Sequence, residues 1–152
     1  MLFRSVYALY RQILDTSFPH TYNAETFVVV VGAVITMQKQ LTPKELAQLL
    51  EIDPVTINGV RKGLRTVLDD TDVMRFRHQS FVDFLTSVSM KLNDPLMENL
   101  TVCPKQFHID VSAAHGHVCN SLFRVMNKEL RFNICQTPSS FMYNDSPYQN
   151  GM

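Results

Sequence analysis

The chain has 152 residues, 45% hydrophobic and 18% charged, the make-up of a globular protein that can bury a core in one domain, with or without an appendage. Its 14 basic and 14 acidic residues cancel, which excludes the bulk charge of a nonspecific binder of nucleic acid or anionic membrane. Cys103, Cys119 and Cys135 are an odd set without a close pair, which argues against a secreted disulfide framework and makes a reducing, cytoplasmic location the expectation.

The opening MLFRSVYALYRQIL sets arginines among its apolar residues and offers no small-residue cleavage site, so it is not a signal peptide. Leu2, Val6, Leu9, Tyr10 and Ile13 fall at helical spacing and predict a helix ending near Leu14 or Asp15. DTSFPHTYNAET reads as a loop punctuated by Pro19 and Asn23, so residues 1–22 form the end of a preceding helical segment and its loop. Segment 24–38 is ambiguous, because its valines favour a strand while its length favours a helix. The 3.6-residue period of Phe27, Val30, Val31, Val34 and Ile35 decides for a buried helix. Its apolar run FVVVVGAVITM is 11 residues long, well short of the roughly 20 that span a bilayer, so no membrane partner is expected.

In LTPKELAQLL, Thr42 is a good N-cap, Pro43 suits the first helical position and Glu45 completes a capping box, with Leu46, Leu49 and Leu50 as the apolar stripe. Asp53 and Pro54 repeat the device for a helix that turns Ile57, Val60 and Leu64 inward, and the pair reads as helix-turn-helix. TVL and VMRFR, separated by DDTD, are candidate strands of a small wing. Ser80 then caps a helix with the stripe Phe81, Phe84, Leu85, Val88 and Leu92. The expected fold is mainly α: a winged-helix domain over 23–92, made of helix-turn-helix plus a small β-hairpin, with flanking helices. A linker and helical extension occupy 93–134, with a long helix over 111–130 whose apolar face is Val111, Ala114, Val118, Leu122, Val125 and Met126. Residues 135–152, rich in Ser, Asn, Pro and Tyr, read as a poorly ordered tail.

Three constellations are candidates for chemistry. Asn58, Arg61, Lys62 and Arg65 share one face of the second helix-turn-helix helix, where a recognition helix presents its base-reading side chains. Asp69, Asp70 and Asp72 would lie near the phosphates, however, and the chain has no basic arm, so a face toward another protein is preferred to DNA. His115 and Cys119 stand four apart on a helix, with Cys103, His108 and His117 near in sequence, but paired Cys-x-x-Cys spacing is missing. The expectation is no metal, His115 as a hydrogen-bonded core histidine and Cys119 as a small buried hydrophobe. His78 sits before a helix N-terminus, where free amides and the helix dipole favour an anion. No phosphate loop of the form G-x-x-x-x-G-K-[ST] and no ordered Ser-His-Asp set is present in this sequence, so the expectation is a non-enzymatic chain.

FRHQSFVDFL resembles the F-x-H-x-S-F-x-[DE]-F-L motif in the winged-helix domain of NACHT-type signal-transducing NTPases, the class that includes NOD-like receptors. LYRQIL, LTPKELAQLL, VRKGLRTVL and FHIDVSAAHGHVCNSLFRVMNKELRFNIC extend the likeness over 9–141, toward a large fungal group of such proteins. The resemblance implies a regulatory segment that follows an NTPase core, here without that core, so a fragment or truncated relative is expected. It also implies that His78 reaches the phosphates of ADP bound by the core and latches a closed state. Ser80 and Phe81 shape the helix start, and Phe84 and Leu85 anchor it. ADP or ATP is then a ligand only of the chain joined to a NACHT core, which is the implied partner in cis or in trans. The alternatives are a helix-turn-helix DNA-binding protein and a stand-alone protein-interaction adaptor.

Overall fold

The structure is a computed structural model that describes residues 2–19, 23–87 and 102–131. Its helices are α1 (Leu2–Ser17), α2 (Ala24–Thr36), α3 (Pro43–Leu50), α4 (Pro54–Gly63), α5 (Gln79–Thr86) and α6 (Val111–Glu129), with a short 3-10 turn at Lys105–Phe107. The fold is mainly helical, and among the described residues it has no strand. Val88, Leu92, Cys135 and the tail expected from 135 onward lie outside the described residues.

Side-chain caps set where most of these helices start. Asn23 accepts from the amides of Glu25 and Thr26, Asp53 from that of Val55, and Asp110 from those of Ser112 and Ala113. Before α3, the amide and hydroxyl of Thr42 donate to the Glu45 carboxylate at 2.8 and 2.9 Å, and the Glu45 amide donates back to the hydroxyl. These bonds, chiefly the one from the Thr42 amide, hold the Glu45 carboxyl below its ordinary pKa. α1 runs past its expected end to Ser17, because nothing breaks it before Pro19.

α2 is the helix that its period predicts. Phe27, Val30 and Val31 are buried, and α2 packs against α6, α4 and the 3-10 turn. Burial of several faces overrides the valines' preference for strand. At Gly32 the α6 backbone comes so near that a Cβ would stand 3.0 Å from that of Ala114. Two aromatic groups fill the core. Phe27 meets Phe18 at 5.0 Å and Phe107 at 4.9 Å between ring centroids, both edge-on, joining α2 and the 3-10 turn to the residue just after α1. Tyr10 meets Phe81 edge-on at 5.0 Å, and Tyr7 meets Phe84 at 5.2 Å, which seats α5 on α1.

Three expectations are corrected. The hairpin of TVL and VMRFR shrinks to one antiparallel bridge, Leu68 to Phe76. The turn closing α4 uses the amides of Val67 and Leu68 to reach the Leu64 carbonyl, and the Met74 amide bonds the Leu41 carbonyl before α3 instead of a partner strand. α5 stops at Thr86, where Ser87 turns extended, short of the length expected of the helix. α6 has the expected length, yet only Ala114, Val118 and Ser121 are buried, whereas Val111, Leu122, Val125 and Met126 are exposed. The buried strip is narrow and ends with Ser121, beyond which every described residue of α6 faces outward. Across that outer half, Arg124 at 3.1 Å and Lys128 pair with Glu51, the left-handed (φ 56°) residue closing α3. The Lys128 hydrogen bond is the main reason that the exposed Glu51 carboxyl titrates below its usual value.

Candidate functional site

The start of α5 is built from inside outward. Phe81, Phe84 and Leu85 are completely buried and fix the helix to the core. Ser80 does not cap it. The helix begins at Gln79, so Ser80 lies in its first turn, and its hydroxyl shares a 2.8 Å hydrogen bond with the Tyr10 phenol of α1. The N-cap is His78, whose extended backbone (φ −128°, ψ 126°) suits that position but whose side chain makes no capping bond. The imidazole is exposed, and among the described residues no hydrogen bond or ion pair engages it. A fixed helix therefore carries at its positive end an outward histidine and first-turn amides without a side-chain acceptor. Such an end can hold an oxyanion presented from outside the chain.

The basic face also assembles. Asn58, Arg61, Lys62 and Arg65 line one surface hollow of about 390 Å³ together with Leu68, Asp69, Asp70 and Arg77. Arg65 does so from the turn after α4, since that helix ends at Gly63. Arg61 donates to the Thr71 carbonyl and Arg77 to that of Leu68, each at 2.6 Å. Asp69 is paired with Arg75 at 2.5 Å and lies 4.0 Å from Arg77.

The metal candidates do not converge. Cys103 is buried, whereas Cys119, His115 and His117 are exposed, which corrects the expected burial of His115 and Cys119. Each follows a buried residue, Ala114 or Val118, and one step turns a helical side chain by about 100° off a strip that narrow. His108 is half-buried, with its Nε2 buried and unpartnered among the described residues. No group of three or more His, Cys, Asp or Glu that could hold a metal occurs among the described residues.

No protein-family model, curated protein or solved structure matches this chain. Among the described residues no helix is long and apolar enough to cross a membrane. Sequence reasoning missed Tyr10 as the partner of Ser80, 70 positions away, and Arg77 as a wall of the hollow, which it reaches from outside the helical spacing of Asn58, Arg61 and Lys62. Arg77 had one available signal, its place beside His78 in the quoted motif.

The thiols separate chemically. Burial pushes the Cys103 thiol up to about 12 from 9.0, against a smaller opposing pull from Arg11. Brief alkylation with N-ethylmaleimide at about pH 8 is expected to label Cys119 and spare Cys103, as read by peptide mass spectrometry. Equal labelling would mean that the 102–109 segment opens freely. The raised folded-state value also sets a sign. The thiol's contribution to stability is complete below pH 9.0, where the unfolded chain keeps its proton too, and is lost as pH rises toward about 12.

Proposed function

We propose that the chain is a non-enzymatic, nucleotide-state-sensing module of a NACHT-type signalling NTPase, working in the cytoplasm on ADP or ATP held by an NTPase core in cis or in trans. The observation that carries this reading is His78, outward and, among the described residues, unpartnered at the N-cap of a helix whose other side is locked into the core. The F-x-H-x-S-F-x-[DE]-F-L resemblance supplies the ligand, and the capped pair α3–α4 followed by the Leu68–Phe76 bridge supports a reduced winged helix over 23–92. In the closed state His78 donates to a nucleotide phosphate. A charge-assisted bond of that kind contributes about 1.5–3 kcal/mol, enough to bias a two-state switch without holding the ligand alone.

The cap shows what this arrangement forgoes. Aspartate at an N-cap accepts from the first-turn amides, so His78→Asp is expected to stabilise the chain by about 1 kcal/mol in urea unfolding. An unchanged midpoint would mean that those amides already have an acceptor, and would leave no vacancy for a phosphate. The ligand itself is tested by reading the encoding transcript through its 5′ end. The proposal expects the frame to continue upstream into a G-x-x-x-x-G-K-[ST] loop. A transcript whose frame is closed just before Met1 would remove the nucleotide from the reading.

A further inference from the structure

We propose that the hollow between α4 and the 68–77 segment is a separate binding site for a compact ligand carrying two or more phosphate groups. Its walls bring Arg61, Lys62, Arg65 and Arg77 against two carboxylates, Asp69 and Asp70. One of those carboxylates is already answered, because Arg75, which does not line the hollow, pairs with Asp69 at 2.5 Å. A chain of zero net charge thus concentrates a surplus of positive charge in one concavity.

The cations divide into two kinds. Arg61 and Arg77 are each held by one hydrogen bond to a backbone carbonyl, which fixes the guanidinium plane and leaves further N–H donors for a ligand. Lys62 and Arg65 are exposed and have no ion pair or side-chain hydrogen bond among the described residues. Guanidinium forks match phosphate oxygens, and donors fixed in advance lose less freedom on binding. The volume of about 390 Å³ lies in the range of small-molecule sites, roughly 300–1,000 Å³, but the lining is charged where such sites are usually apolar. That selects a small, strongly anionic ligand. A single phosphate would engage only part of a set that runs along α4 and across to Arg77. An extended nucleic-acid backbone would have to pass the exposed carboxylates of Asp70 and Asp72. His78 does not line the hollow, so this site does not depend on the nucleotide-sensing reading.

The test is calorimetric titration of the full chain with inorganic pyrophosphate and with fructose bisphosphate, using sulfate as the single-anion control and a short DNA duplex as the competing class. We expect one saturable site for at least one of the two phosphate ligands, binding more tightly than sulfate and weakening as salt rises. Lys62→Gln combined with Arg65→Gln is expected to weaken it at least tenfold while leaving the melting temperature unchanged, since neither side chain has an ion pair or side-chain hydrogen bond to lose among the described residues. His78→Leu is expected to leave it unchanged. Absence of saturable binding at millimolar ligand, or equal binding in the Lys62/Arg65 variant, would overturn the proposal. Duplex binding without binding of either phosphate ligand would also overturn it, in favour of nucleic acid.

Discussion

Phe81→Ala is expected to lower the free energy of unfolding by about 3–5 kcal/mol, as read from urea denaturation of the full chain. The ring has no exposed surface and stands 5.0 Å from Tyr10, 5.3 Å from Phe76 and 6.3 Å from Phe84. It therefore joins α1, α5 and the bridged segment, and its loss opens a cavity that rigid neighbours on three sides cannot close. Domains of this size have about 5–15 kcal/mol in total, so the variant is expected to be partly unfolded near physiological temperature. The consequence reaches the site. His78 lies three residues before Phe81 and is carried by the helix start that Phe81 seats, with the Phe81 amide bonded to the His78 carbonyl at 3.2 Å. A cost below about 1 kcal/mol would show that α5 is not anchored as described.

Phe27→Ala is expected to cost a similar amount, about 3–5 kcal/mol, in the other aromatic group of the core. Phe27 is fully buried between Phe18, just after α1, and Phe107 of the 3-10 turn, and α2 itself supports α6. Its removal loosens the segment that carries Cys103, so faster alkylation of Cys103 is expected to accompany the lower stability. Phe81→Ala, acting on the other aromatic group, is expected to raise that rate less under conditions where both variants remain folded. If the two variants expose Cys103 equally, the core opens as a single unit and the two aromatic groups are not separable.

What the sequence made legible was local. Thr42, Pro43 and Glu45, then Asp53 and Pro54, are short-range chemistry, and they mark the starts of α3 and α4. The 3.6-residue period of Phe27, Val30 and Val31 was enough to choose helix over strand for α2. The spacing of Asn58, Arg61, Lys62 and Arg65 placed them together, as the hollow has them. Contacts between distant residues were not legible. Ser80 is the residue type that favours a cap, but Tyr10, 70 positions earlier, shares its hydroxyl's hydrogen bond. The second expected strand keeps only the pairing around Phe76, and its Met74 amide bonds Leu41, 33 positions earlier, instead of a partner strand. The apolar pattern of α6 gave no sign of where its partners end, so the exposure of Leu122, Val125 and Met126 was not legible.

The most direct measurement on the central claim is the rate at which ADP leaves the chain joined to its NTPase core, compared between His78 and His78→Leu. The comparison is clean because His78 is exposed and its side chain makes no hydrogen bond among the described residues, so the substitution is expected to change the stability of this chain by less than about 0.5 kcal/mol. Loss of a phosphate contact is expected to speed ADP release roughly 10- to 150-fold, the equivalent of about 1.5–3 kcal/mol. An unchanged rate at unchanged stability would contradict the assignment of His78 as the nucleotide sensor.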